Sequence, residues 1–134
     1  LSLVRYSASS EKNWIDAYTS LDDGATWKFL NRPVADTGGH HGSPPSLIRL
    51  KDGRLCLTYG YRSAPYGIRA RLSSDGGRTW SPEIRLREDA ASWDVGYPRT
   101  VQRADGRIVT VYYAHEKGGF ERKVSATIWD PGAR

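Results

Sequence analysis

The 134 residues are 38% hydrophobic and 26% charged, with a formal net charge of +5 and a pI near 9.5, a composition that excludes disordered and collagen-like classes. No apolar run reaches the ~20 residues that cross a bilayer, and no basic-then-apolar leader opens the chain, so neither a membrane span nor a signal peptide is legible. The 20 Lys and Arg residues are scattered through strand-like segments instead of gathered in runs, which argues against nucleic acid as a partner.

Along the chain, the first strong feature is Ser20-Leu21-Asp22-Asp23-Gly24-Ala25-Thr26-Trp27. Its Ser and Asp side chains suit hydrogen bonding to the backbone of a tight turn, Gly24 suits the special torsion, and Trp27 is expected to pack over it. A loop with His40, His41 and Ser43 follows, then the turn pair Asp52-Gly53 and an apolar run at 55–59. That run reads as a strand, and its Cys56, the single cysteine, as a buried structural thiol. Beyond Arg62, Pro65 and Tyr66, the alternating run at 68–72 predicts a second strand. It leads directly into Ser73-Ser74-Asp75-Gly76-Gly77-Arg78-Thr79-Trp80. Asp94, Tyr97, Pro98 and Arg99 precede a second Asp-Gly turn at Asp105-Gly106, and the run at 108–113 predicts another strand before His115 and Glu116. Near the end, Ile128-Trp129-Asp130-Pro131-Gly132 is a decayed copy of the octapeptide or a terminal turn.

The two octapeptides lie 53 residues apart, and the same interval relates Tyr6, Tyr59 and Tyr112, Pro45 and Pro98, Ile15 and Ile68, and the two Asp-Gly-Arg turns. A period near 50 residues, in a chain of short strands without helical periodicity, predicts an all-β fold of the β-propeller kind, each repeat a four-stranded blade. On this frame residues 1–134 are a partial propeller of about two and a half blades. Residues 1–36 are strands two to four of one blade, 42–89 a complete blade, and 95–130 the first three strands of another. Such a piece leaves sheet faces uncovered, so the remaining blades are expected in a longer parent chain or in other copies of this one. A start at Leu1 and the lack of any methionine are consistent with an upstream segment.

The octapeptides resemble the Asp-box, or bacterial neuraminidase repeat, of the sialidase-like propellers, whose pattern is Ser-x-Asp-x-Gly-x-Thr-Trp. Ser20, Asp22, Gly24, Thr26 and Trp27 match every fixed position, as do Ser73, Asp75, Gly77, Thr79 and Trp80. The resemblance implies a six-bladed ring when complete, with the boxes as structural turns on the face away from the site, so Asp22 and Asp75 are not catalytic. It also favours a secreted or periplasmic location. The segment Gly96-Tyr97-Pro98-Arg99-Thr100-Val101, followed by Asp105-Gly106 and Val111-Tyr112-Tyr113, looks like the sialidase segment that carries the tyrosine nucleophile, and Tyr97 falls on that nucleophile. Pro65 stands where the family commonly has the third arginine of its carboxylate-gripping triad, and Arg62 and Arg69 are the nearest basic residues.

The function implied is a retaining exo-α-sialidase type of glycoside hydrolase acting on terminal acidic sugars, without metal or cofactor, and inactive as this piece alone. Tyr97 would be catalytic, with Arg62, Arg99, His40, His41, Tyr66 and Asp94 around the sugar. Arginine suits a carboxylate because its planar fork bonds both oxygens. Other readings stand beside these. Tyr97 packs at a strand entrance, His40 and His41 are solvated, Arg62 pairs with Asp94, Asp94 orients Arg99, and Arg69 or Arg71 makes an ion pair between blades. Two alternative functions follow: a non-catalytic propeller that binds glycan or protein, and a propeller polysaccharide lyase using His and Tyr.

Overall fold

A computed structural model describes residues 1–119 and 121–132. Among them every regular element is a strand. Strands β1 (Ser2–Ser7), β2 (Asn13–Thr19) and β3 (Lys28–Val34) form one sheet, and β4 (Ser46–Arg49), β5 (Leu55–Tyr61), β6 (Gly67–Ser73) and β7 (Ile84–Arg87) a second. The third contains β8 (Val95–Gln102), β9 (Ile108–His115) and β10 (Arg122–Trp129), with β9 in the middle. Each sheet is an antiparallel meander. This is the propeller architecture, present as about two and a half blades.

Strands expected at 55–59 and 68–72 run on because their hairpin keeps its register: Gly60 pairs with Ile68 and Tyr61 with Gly67. Ladder hydrogen bonds do not depend on side-chain propensity, so a glycine at a strand end costs little once its partner is in place. β9 likewise reaches His115, which pairs with Arg122.

The core lies between sheets. Ile15 and Val34 of the first sheet meet Leu57 and Tyr59 of the second, with Leu3 and Trp80 alongside. Ile68 of the second meets Val95, Tyr112 and Ala114 of the third, flanked by Tyr66 and Leu86. A further cluster joins Leu50 and Cys56 to Ile108 and Trp129. Each such side chain is worth ~2 kcal/mol on burial, and most of it is gained only against a neighbouring sheet, as in any stacked-repeat fold. Cys56 is a free buried thiol, pushed up to about 12 by burial.

The octapeptides close the β2–β3 and β6–β7 hairpins at one end of the sheets. Ser20 Oγ accepts the Gly24 N–H at 2.8 Å, and Asp22 accepts both the N–H and the hydroxyl of Thr26 at 2.9 and 2.6 Å. Ser73, Gly77, Asp75 and Thr79 repeat this pattern at 2.9, 2.9 and 2.6 Å. The glycines take φ of +92° and +91°, where a Cβ is disfavoured. The tryptophans differ. Trp27 donates to the Gly24 carbonyl at 3.0 Å, whereas Trp80 packs on the core between the first two sheets.

Arg69 corrects one expectation. It is only 2% exposed, and its ion-pair partners, Glu83 at 3.2 Å and Glu88 at 3.8 Å, flank β7 of its own sheet, not a neighbouring one. The pairing of β6 with β7 shifts register between Ile68 and Arg69, and a bulge of this kind frees ladder groups. Arg69 donates to the Arg87 and Pro65 carbonyls at 2.6 and 2.9 Å, while Glu83 accepts the Tyr59 hydroxyl at 2.6 Å. Arg71 donates to the Ser81 carbonyl.

Candidate functional site

At the end of the sheets opposite the octapeptide turns, the loop before β4, the end of β5, the start of β8 and the β9–β10 hairpin converge. The loop is zipped onto β5 through a parallel bridge between Gly38 and Arg62 and the Arg62 N–H bond to the Thr37 carbonyl at 2.9 Å. His40 and His41 have φ of +54° and +62°, a conformation non-glycine residues adopt only where surrounding contacts impose it.

Arg62 stands at the centre. Only 7% exposed, it donates through Nε to the Val95 carbonyl at 3.1 Å, through Nη1 to the His40 carbonyl at 3.2 Å and through Nη2 to the Tyr113 hydroxyl at 3.0 Å. Its guanidinium lies 5.7 Å from the Trp93 ring centre and 5.9 Å from that of Tyr97, within cation–π range. The Tyr113 hydroxyl in turn donates to Asp94 at 2.8 Å, and Arg122 Nε donates to the other Asp94 oxygen at 2.6 Å. Burial alone would raise the Asp94 carboxyl, but the bonds from Tyr113 and Arg122 outweigh it and hold the group below its ordinary value. Burial and the Asp94 carboxylate push the Tyr113 phenol up to about 12. Arg122 and Arg62 both act on the Asp94 carboxylate, the first through a hydrogen bond and the second through its charge.

Tyr97 occupies an irregular place. β8 shifts register against β9 between Gly96 and Arg99, Gly96 has φ of +146° and Tyr97 of +51°, and the Tyr97 N–H donates to the buried Ser43 hydroxyl at 3.2 Å. Gly96 is required because a Cβ there would fall 2.3 Å from Ser43 Oγ. Tyr97 is 50% exposed, its ring 5.8 Å from that of Tyr113.

His40 lies flat against Trp93, centroids 4.3 Å apart, so its ring joins the cluster instead of standing free in solvent. His41 turns toward the first sheet, its Nδ1 3.2 Å from Ser7 Oγ. Arg99 donates to the Pro98 carbonyl, and Asp94 is held by Tyr113 and Arg122 with no bond to Arg99 among its hydrogen bonds. Tyr66 packs on the core between the second and third sheets. The structure thus brings together His40, Arg62, Asp94 and Tyr97, and turns His41 toward the first sheet and Tyr66 onto the core. It adds Trp93, Tyr113 and Arg122. One signal for these lies in the repeat: Tyr113 stands one period after Gly60, and Trp93 one period after His40, so the blades diverge where the site is built. Among the described residues no group of three or more His, Cys, Asp or Glu side chains is arranged to hold a metal, and no helix is long and apolar enough to cross a membrane.

The fold and its convergent loops define a propeller segment with a polar, aromatic-lined site at one end. The BNR repeat-like domain family matches residues 1–111, and the chain belongs to that family. Among solved structures, a protein of unknown function from Dyadobacter fermentans is 33% identical over 96% of this chain, with a TM-score of 0.74. An alpha-L-arabinanase from Penicillium chrysogenum, complexed with arabinobiose, is 19% identical over 94%, with a TM-score of 0.66. A polysaccharide lyase bound to a GlcA–Rha3S saccharide is 18% identical over 86%, with a TM-score of 0.55. The chain spans 34%, 39% and 29% of those three chains. No curated protein matches it.

Proposed function

We propose that this chain forms one side of the sugar site of a propeller enzyme that cleaves an acidic glycan by a retaining, sialidase-like reaction, with Tyr97 as the nucleophile. The carrying observation is the pairing of a half-exposed phenol, held on left-handed backbone, with a buried arginine 5.9 Å from its ring. Arg62 binds the sugar carboxylate, and the Tyr97 oxygen attacks the anomeric carbon as the glycosidic C–O bond breaks. The leaving oxygen takes a proton from an acid on another blade, and water then releases the glycosyl group. A phenol needs a base to be nucleophilic. Asp94 is already engaged by Tyr113 and Arg122, so that base also belongs to another blade. The saccharides bound by the arabinanase and the lyase support a sugar ligand.

A second reading, uronate elimination, is favoured by His40, whose carbonyl is bonded to Arg62 and whose ring stacks on Trp93. In that reaction Arg62 neutralises the uronate carboxylate, His40 or Tyr97 takes the proton from the carbon beside it, a double bond forms to the next carbon, and the 4-linked oxygen leaves with a proton from an acid on another blade.

The test is turnover of an aryl sialoside and of a polyuronate by the intact protein and by Tyr97→Phe. Sialoside hydrolysis reduced about 1,000-fold in the variant supports the first reading. An unsaturated uronate product, absorbing in the ultraviolet, supports the second. Binding without turnover of either substrate replaces both with the non-catalytic propeller.

A further inference from the structure

We infer that Tyr113, anchored by Asp94 and Arg122, is a positioning residue that fixes the Arg62 guanidinium as a two-pronged receptor for a carboxylate.

An arginine has five N–H donors and no acceptor. Three are spent within the chain, one on each nitrogen: Nε on Val95, Nη1 on His40 and Nη2 on Tyr113. One N–H remains on each terminal nitrogen, enough for the two oxygens of a carboxylate. Two of the three anchors are backbone carbonyls, held by the strand start and by the loop that is zipped to β5. The third is a side-chain hydroxyl, and its direction is forced. Because Arg62 only donates, the Tyr113 oxygen must accept from it and spend its single hydrogen on Asp94. Asp94 is fixed through its other oxygen by Arg122. The order Arg122 to Asp94, Tyr113 to Asp94 and Arg62 to Tyr113 therefore has only one polarity. A phenol pushed up to about 12 stays neutral across the working range and keeps both its donor and its acceptor. Nothing in the β9 strand pattern requires a tyrosine at 113, since the equivalent position one repeat earlier is Gly60. The residue is explained by what its hydroxyl does.

The carboxylate part rests on the proposed function, and the anchoring of Arg62 does not. Two measurements on the intact protein separate them. In nitrogen-15 NMR the Arg62 Nε–H is expected to be protected from exchange in the wild type. Protection should fall at least tenfold in Tyr113→Phe and in Asp94→Asn, and less in Arg122→Gln, whose parent side chain is half exposed. Equal protection in a folded Tyr113→Phe or Asp94→Asn protein overturns the inference whatever the ligand. By calorimetry, the wild type should prefer N-acetylneuraminic acid over its methyl ester. Tyr113→Phe should cut that preference roughly tenfold, the acid losing affinity and the ester losing far less. A variant that weakens acid and ester alike assigns Tyr113 a merely structural role and overturns the proposal. A wild type indifferent to the carboxylate removes the acidic-sugar reading, with the exchange measurement still deciding what Tyr113 does.

Discussion

Gly96 and Tyr97 show how much chemistry two residues gain from one irregularity. β8 shifts register between Gly96 and Arg99, and Tyr97, at positive φ within that shift, begins the alternation of exposed side chains that continues through Arg99 and Val101. The shift depends on a backbone hydrogen standing where a side chain would meet Ser43 Oγ at 2.3 Å and approach Arg62 Nη2 at 3.6 Å. Gly96→Ala is therefore expected to cost about 2–3 kcal/mol, from overpacking and from a torsion alanine resists, which urea unfolding would read. The same variant should lose sugar binding out of proportion to stability, because both Tyr97 and Arg62 move. Arg69 carries a second prediction at this scale. Its replacement by glutamine would leave the Glu83 carboxylate without its buried guanidinium and free the Arg87 and Pro65 carbonyls, at about 3 kcal/mol, with no direct effect on the site.

At the scale of elements, the octapeptide turns are locally encoded. Ser, Asp, Gly and Thr satisfy one another within eight residues, so the turn forms with little help from the rest of the chain, and both copies have the same geometry. The Asp22 and Asp75 carboxyls are lowered from 3.8 to about 2, first by the threonine hydroxyl and then by the threonine N–H. A folded-state value below the unfolded one means that the native state binds fewer protons. The stabilisation is then complete above about pH 4 and lost as pH falls through about 2. The thermal midpoint should drop across that window, and a double Asp22→Asn, Asp75→Asn variant should show a lower midpoint at neutral pH and a flatter acid limb. Equal acid limbs in the two proteins would place the pH dependence elsewhere. Two strands contain proline, and both are at sheet edges: Pro33 in β3 and Pro98 in β8. A missing N–H is tolerated there, yet proline obscures a strand pattern. The strands read individually from the sequence, at 55–59, 68–72 and 108–113, are those with the most continuous apolar or alternating runs, whereas β2, equally central and proline-free, carries the mixed sequence NWIDAYT.

For the whole molecule, the decisive contacts are between sheets. Gly60 of β5 faces Ser43 and Gly96, and a Cβ there would meet Ser43 Oγ at 2.9 Å and the Gly96 Cα at 3.0 Å. Thr58, Thr100 and Thr110 continue the same seam with hydroxyl contacts of 2.7 and 3.3 Å. Gly60→Ala is expected to push the second and third sheets apart by a few tenths of an ångström, destabilising the protein by about 1–2 kcal/mol. It should also alter the near-ultraviolet circular dichroism of the tyrosines at the seam, while the far-ultraviolet spectrum stays unchanged.

The sequence alone was enough for the architecture and for the turns. A 53-residue interval shared by independent features specifies repeated units, and the octapeptide's hydrogen bonds close within itself, so neither needs information from distant residues. That His40, Arg62, Asp94 and Tyr97 share one end of the sheets also follows from the repeat frame, which places their loops opposite the turns. What only the tertiary structure decided was how those loops meet. His40 reaches Trp93, Arg62 reaches Tyr113 across 51 residues, and Arg122 closes on Asp94 across 28, while His41 turns toward the first sheet and Tyr66 packs on the core. Such contacts depend on the angle between neighbouring sheets and on a one-residue register shift in β8. Neither quantity is written in any local pattern, since both follow from how complete sheets pack on one another.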